Sequence, residues 1–329
     1  MKSITIIGSG SWSTALVKIF SESKVAVTWH VRSKEMVTFL IAEGRNNKYL
    51  SHVKLDMQYI MPTCSFEESI AASDDILFSV PSAYLEETVQ EMLDFDFSNK
   101  NIAVSIKGLA GEKNITPSAF LAKHLKKQQH DVTVLAGPCH AEEIGMGNKT
   151  YMTIAGKNEQ IVQRFAAAIR SPYIQVITNE DPSGVEFTGI LKNIISISSG
   201  IVLGLNYGDN FLAVVVSNAM REIRAFLQSA DPHERDLYDS AYFGDLLATA
   251  YSSLSRNRSF GNMIGRGYPV PVAESRMNMV AEGFTAVKGI YDMANNMGVR
   301  VPVIATVYRI LHQQALPYLE FKTLEQHLK

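Results

Sequence analysis

Cysteine is nearly absent. Cys64 and Cys139 are the only two in 329 residues, which excludes a disulfide framework and leaves no Cys/His spacing for a metal, so no metal site is expected. Two thiols alone fit a reducing compartment. An excess of one charge is also missing, because 31 Lys and Arg stand against 33 Asp and Glu, a net −2. Such a chain has no bulk attraction for nucleic acid or anionic lipid, so no nucleic-acid partner is expected and any anion it binds needs a local basic site. Long apolar runs are lacking. The longest, residues 185–205, is interrupted by Glu186, Lys192 and Asn193, which argues against stable membrane insertion. The first eight residues carry one positive charge and a very short apolar stretch. They lack the longer apolar core of a signal peptide, and a cytoplasmic location is expected.

What is present is an ordinary globular composition, 46% apolar and 19% charged, and enough chain for about two domains. Up to about residue 179, β-rich runs (3–7, 25–29, 76–80, 102–105, 132–135, 174–177) alternate with helical patterns (13–20, 33–41, 84–92, 117–126, 159–169). Parallel strands need helical crossovers, so this alternation predicts a mainly parallel, doubly wound sheet. Beyond it the strand signal fades. Asp181-Pro182-Ser183-Gly184-Val185-Glu186 reads as a helix start, with Pro in the first turn and Ser183 and Glu186 at capping-box spacing. The rest reads helical, with breaks near 204–209, 230–233, 256–261, 265–271 and 297–302. The expected fold is α/β: an N-terminal doubly wound, Rossmann-type sheet over residues 1–180, then an all-helical domain over 181–329.

Gly8-Ser9-Gly10-Ser11-Trp12-Ser13 follows the first strand and opens the first helix. Glycine at the first position permits a tight turn. At the second it lets the backbone approach a pyrophosphate held by helix N–H groups. Ser13 stands where a third glycine is usual, a position that serves helix–strand packing. The turn alone is a weak signal, and its place after the first strand of an α/β pattern favours a dinucleotide. No acid stands at the tip of the second strand to take a ribose 2′-hydroxyl. Arg32 and Lys34 stand there instead, suited to a 2′-phosphate through charge-assisted hydrogen bonds, or else simply solvated surface charges. NADP is mildly favoured over NAD.

In the helical part, Lys192 lies within Gly189-Ile190-Leu191-Lys192-Asn193-Ile194-Ile195. A lysine among apolar residues must find a partner, snorkel or lose its charge. Helical spacing puts Thr188, Gly189, Lys192, Ser196 and Ser199 on one small, polar stripe, either lining a site or packing tightly around a buried Lys–Glu pair. Gly244-Asp245 places a carboxylate at a helix start. Ser255-Arg256-Asn257-Arg258 offers guanidinium and amide donors suited to a phosphate. A continuous helix from Asp245 to Arg256 would separate the two by ~16 Å, so a shared role requires the chain to fold back near Ser252 and Ser253. Taken singly, each of these segments reads as readily as a cap or a solvated charge run.

Taken in order, the segments resemble bacterial NAD(P)-dependent glycerol-3-phosphate dehydrogenase over essentially the full length. They are Gly8-Ser9-Gly10-Ser11-Trp12, Val80-Pro81-Ser82, Ser105-Ile106-Lys107-Gly108-Leu109, Ala136-Gly137-Pro138-Cys139-His140-Ala141-Glu142-Glu143, Leu191-Lys192-Asn193-Ile194, Gly208-Asp209-Asn210, Gly244-Asp245-Leu246, Ser255-Arg256-Asn257-Arg258 and Val280-Ala281-Glu282-Gly283. The resemblance implies a reversible hydride transfer between NAD(P)H and dihydroxyacetone phosphate, with sn-glycerol 3-phosphate supplied to phospholipid synthesis. It implies Lys192 as the catalytic acid/base, consistent with the lowered pKa of a partly desolvated lysine, with Lys107 and Asp245 flanking the reacting carbon. Gly137, Cys139, Ser255, Arg256 and Asn257 fall at substrate positions. Gly8, Gly10, Ser11, Trp12, Arg32, Lys107, Ala141, Arg256, Val280 and Glu282 fall at cofactor positions. Three places depart from the family pattern: Ser13, Cys139 in place of a hydroxyl residue, and Ser217-Asn218-Ala219 in place of Thr-Arg-Gly. None removes a proton-transfer or phosphate-binding group. Alternatives are a ketopantoate reductase-like enzyme acting on a carboxylate, and a non-catalytic dinucleotide sensor. A homodimer is an expectation resting on exposed apolar surface of the helical domain.

Overall fold

A computed structural model describes residues 1–277 and 279–329. The chain divides into two compact units, one of Met1–Ile106 with Ala110–Val185, the other of Lys107–Leu109 with Glu186–Lys329.

The first unit is built on eight strands: β1 (Ser3–Ile7), β2 (Ala26–His30), β3 (Ile60–Thr63), β4 (Asp75–Phe78), β5 (Asn101–Val104), β6 (Thr133–Ala136), β7 (Thr150–Ala155) and β8 (Ile174–Asn179). They lie in the order β3-β2-β1-β4-β5-β6-β7-β8. The first six are parallel, while β7 runs antiparallel to β6 and parallel to β8. Order 3-2-1-4-5-6 is the dinucleotide-binding arrangement of two mononucleotide halves, with its switch point between β1 and β4. Crossovers are made by α1 (Ser11–Glu22), α2 (Lys34–Glu43), α3 (Phe66–Ala71), α4 (Leu85–Gln90) and α5 (Pro117–His124), and α6 (Ala141–Gly145) and α7 (Glu159–Ile169) follow. Ile4, Thr5, Ile6 and Ile7 are all buried, as a central parallel strand covered on both faces requires. Local chemistry sets the helix ends. The Ser33 hydroxyl accepts from Met36 N to start α2, and left-handed Gly44 stops it.

Two strands escaped the sequence reading. β3 is only four residues long and contains Pro62, a residue that normally argues against a strand. It survives because β3 is the sheet's edge. β7 follows the short α6 and the turn at Gly147, and its antiparallel pairing breaks the parallel direction on which the reading relied.

The second unit is helical: most of α8 (Pro182–Gly204), then α9 (Gly208–Ala230), α10 (Asp245–Tyr251), α11 (Arg256–Gly265), α12 (Val270–Ser275), α13 (Glu282–Asn296), α14 (Pro302–His312) and α15 (Pro317–Leu324). Two details correct the sequence reading. The cap of α8 is Asp181, whose Oδ1 accepts from Gly184 N at 2.9 Å, rather than Ser183. Residues 256–261 are the beginning of α11, and the break lies just before them, where Ser252 turns extended after α10. A continuous helix from Asp245 to Arg256 is thus excluded, with the break at Ser252. By length and composition α8 could cross a membrane, but 83% of its most apolar stretch is buried.

Glycines lock α8 against α11. A Cβ at Gly200 would overlap the carbonyl of Arg258, and one at Gly204 that of Asn262. On the facing helix, Cβ atoms at Gly261 and Gly265 would overlap the carbonyls of Ile197 and Ile201. Each helix thus carries two glycines four residues apart, on one face. Backbone meets backbone there, and the helix bearing Lys192 is held directly against the helix bearing Arg256 and Asn257.

Candidate active site

In the first unit the β1–α1 turn is held from several sides. Gly8 has φ +133°, and a Cβ there would lie 2.7 Å from Ser13 Oγ and 2.9 Å from the Ser79 carbonyl. Glycine is therefore obligatory at this position. The Gly8 carbonyl accepts from the buried Trp29 indole N–H at 2.7 Å. Ser13, the departure from the glycine pattern, donates to the Ser79 carbonyl at 3.1 Å and bonds the Ser79 hydroxyl at 2.9 Å. A hydrogen-bonded serine pair thus docks α1 where a bare glycine would otherwise allow close approach.

Gly10, at the N-cap of α1, offers no side chain to cap the helix, and among the described residues the space around it is open. An uncapped N-terminus of a twelve-residue helix behind an open glycine presents N–H groups and a positive dipole end, which fits a dinucleotide pyrophosphate. Ser11 is buried at the first position of α1. Trp12 donates its indole N–H to Ser105 Oγ at 2.7 Å. Arg32 lies beyond the tip of β2, its guanidinium 4.7 Å from the Tyr84 ring centre. His30 stacks on Phe66, and burial lowers its pKa to about 4. The imidazole is therefore neutral near pH 7, and the cationic side chains that follow it in sequence are Arg32 and Lys34. Gly137 has φ +108°, and a Cβ there would sit 3.1 Å from the β7 backbone, so both its conformation and its space call for glycine. Two residues on, the Cys139 thiol donates to the Gly137 carbonyl at 3.1 Å and is buried. Ala141 is the buried first residue of α6.

In the second unit three ionisable residues converge. Lys192 on α8 and Asp245 at the start of α10 are buried and form an ion pair. Lys107 Nζ stands 3.7 Å from the other Asp245 oxygen. The sequence reading left open a buried Lys–Glu pair, but the partner is Asp245. One carboxylate faces two ammonium groups, a local balance of +1 that favours an anionic ligand. Among the described residues Asp245 Oδ2 makes no hydrogen bond, so an acceptor remains in the cluster.

Polar contacts around the cluster fix its parts. Asn193 Nδ2 donates to the Lys107 carbonyl at 2.9 Å. Ser196 Oγ donates to the Thr249 carbonyl at 3.0 Å and lies 2.7 Å from Ser255 Oγ. Ser196 has a single hydrogen, so Ser255 is the donor in that pair. Ser255 also accepts from Arg258 N as the cap of α11. Its hydroxyl hydrogen is thereby consumed in structure. Arg256 and Asn257 occupy the first turn of the ten-residue α11. Asn257 Oδ1 accepts from Gly283 N at 3.0 Å, which ties α11 to the start of α13. Glu282 begins α13, and Val280 is exposed just before it.

Sequence reasoning missed Asn193 and Thr249 as builders of this site, and it set Ser196 on the polar stripe with Lys192 without its partners. Asn193 directly follows Lys192, and Thr249 stands one turn after Asp245, so both adjacencies were readable. The chain distance from Ser196 to Thr249 and Ser255 hid those partners.

A doubly wound sheet with a glycine turn, followed by a helical unit holding a Lys–Asp–Lys cluster, defines a two-unit nicotinamide-dependent dehydrogenase. Family models described as NAD-dependent glycerol-3-phosphate dehydrogenase N-terminus and C-terminus match residues 3–162 and 181–320. Among curated relatives, a protein of Chlorobium limicola named glycerol-3-phosphate dehydrogenase [NAD(P)+] is 32% identical over 311 residues, covering 94% of this chain and 93% of its own. One of the same name from Staphylococcus aureus is 31% identical over 314 residues, covering 95% and 94%. The crystal structure of glycerol-3-phosphate dehydrogenase from Coxiella burnetii superposes with a TM-score of 0.91 at 28% identity, covering 98% of both chains. The chain belongs to the NAD-dependent glycerol-3-phosphate dehydrogenase family.

Proposed function

We propose that this protein reversibly reduces dihydroxyacetone phosphate to sn-glycerol 3-phosphate with NADPH or NADH, supplying glycerol 3-phosphate for phospholipid synthesis in the cytoplasm. The observation that carries the reading is the buried Asp245 carboxylate between Lys192 and Lys107. NADPH or NADH held at the β1–α1 turn would supply the hydride for the C2 carbon of the substrate. Lys192, held by Asp245, gives its Nζ proton to the C2 oxygen and takes it back in the reverse direction. Lys107 and Asp245 Oδ2 orient the substituents of the reacting carbon. Arg256 and Asn257, at the positive end of α11, take the phosphate, with Gly137 and Cys139 contributing to the substrate position. Ser255, which caps that helix, stands beside them at the substrate position.

The dinucleotide-binding part is read as residues 1–180 and the substrate part as 181–329, while packing divides the chain at Val185 and Glu186 and puts residues 107–109 with the second unit. Gly8, Gly10, Ser11 and Trp12 hold the pyrophosphate side, Arg32 reads the adenosine ribose, and Lys107, Ala141, Arg256, Val280 and Glu282 complete the cofactor contacts. A homodimer is part of this proposal. The test is oxidation of NADPH and NADH followed at 340 nm with dihydroxyacetone phosphate, for wild type and Arg32→Ala. Turnover with both cofactors, and a KM for NADPH raised about tenfold in Arg32→Ala with little change for NADH, is the expected result. No turnover with either cofactor overturns the substrate assignment.

A further inference from the structure

The Trp12 indole crosses the switch point of the sheet. It leaves the β1–α1 turn, and its N–H ends on Ser105 Oγ, just beyond β5. Between β1 and β5 in the sheet lies β4. The side chain therefore reaches over the carboxyl end of β4, from the adenosine half of the fold toward the β4–β5–β6 half, where the nicotinamide nucleotide belongs. Ser105 is almost fully buried, and its own hydrogen goes to the Leu135 carbonyl on β6 at 2.7 Å. Its backbone N–H is fixed to the Phe78 carbonyl of β4 at 2.9 Å. The serine is thus tied to the neighbouring strands on both sides, and its remaining lone pairs face the indole.

A tryptophan at a glycine turn has two soft torsions and several wells for them. An acceptor 2.7 Å from its only donor selects one of these wells. We propose that Ser105 is a positioning residue for the nicotinamide nucleotide, acting through Trp12: it holds the indole flat across the tip of β4, so that the ring walls the cofactor channel instead of filling it. This rests on the cofactor reading given above. Ser105 donates nothing to the dinucleotide, because its one hydrogen is committed to Leu135. Its effect must pass through the ring that it orients. The reaction step itself lies with Lys192, so Ser105 governs KM for the dinucleotide and leaves kcat alone.

The test is a double-mutant cycle with Ser105→Ala, Trp12→Phe and their combination, plus Ser105→Thr as the hydroxyl-preserving variant. KM for NADPH, kcat and Tm are measured for each. Ser105→Ala should raise KM about three- to tenfold, the worth of one hydrogen bond, with kcat within about twofold. Trp12→Phe keeps an aromatic face and loses the N–H, and should show a similar rise. The double variant should be no worse than the weaker single one by more than about twofold, because both remove the same contact. Ser105→Thr should stay near wild type. Independent, multiplying effects, an unchanged KM in Ser105→Ala, or a fall in kcat instead of a rise in KM each overturn the proposal. A wild type that neither binds nor oxidises NADPH would instead overturn the cofactor reading on which it rests.

Discussion

Two carboxylates in the second unit are buried almost equally, Asp245 at 1% and Glu222 at 4% exposure, yet their surroundings differ completely. Asp245 has an ammonium group on either side and one oxygen without a hydrogen bond. Glu222, on α9, accepts from the backbone N–H groups of Val303 at 2.6 Å and Ile304 at 3.2 Å, so it caps the start of α14 from another helix. Burial pushes its pKa up to about 8, and the two backbone donors only partly oppose that rise. One acid sits between two ammonium groups with acceptor capacity to spare. The other is a predominantly neutral peg in a helix end at pH 7. Burial of a carboxylate by itself therefore says little about function, and the groups facing it decide the matter.

The sharpest way to break this contrast is to neutralise both acids. Asp245→Asn leaves two ammonium groups without a counter-charge and mis-orients Lys192, so kcat should fall about 100- to 1,000-fold, with some loss of Tm. Glu222→Gln should leave kcat within about twofold. Equal losses in turnover from the two variants would erase the distinction.

Next in size is Gly261→Ala, which asks whether the Lys192 and Arg256 helices depend on their backbone contact. Alanine normally stabilises a helix interior by about 1 kcal/mol over glycine. Here its methyl group would overlap the Ile197 carbonyl, so a loss of about 3 kcal/mol is expected instead, read by denaturant unfolding. A stabilised variant would show that the helices part freely.

The smallest effect is the pH dependence that Glu222 confers. Its folded pKa lies above the ordinary 4.5, so its favourable contribution is complete below about pH 4.5 and is lost as pH rises through about 8. Subtracting the Tm curve of Glu222→Gln from that of wild type should leave a difference that declines from pH 5 to 8.5. A flat difference would contradict the assignment. The subtraction also removes the contribution of His30, whose lowered pKa acts in the opposite direction at acid pH.

The sequence made the sheet legible where strands were apolar and alternated with helices. It failed at β3, whose Pro62 mimics a turn, and at β7, which reverses direction after a helix of only five residues. In the helical unit Lys192 and Asp245 were readable singly, since a lysine among isoleucines and an acid after a glycine are both unusual. Their pairing was not, because 53 residues separate them and no periodicity spans such a distance. Glu222 was invisible as a cap. In Met220-Arg221-Glu222-Ile223-Arg224 it reads as one charge of a solvated face, and only the fold brings Val303 to it. Arg256 and Asn257 were seen as a phosphate cradle, but the glycine-lined crossing that sets them against α8 required both helices in place.

The most direct test of the central claim, that the cluster around Lys192 performs the proton transfer, is the turnover of Lys192→Ala with dihydroxyacetone phosphate and NADPH. Its NADPH affinity and circular dichroism would be measured alongside. The account predicts a kcat lower by about 100- to 10,000-fold, with folding and NADPH binding retained. Turnover within about tenfold of wild type would contradict it and move the proton donor elsewhere.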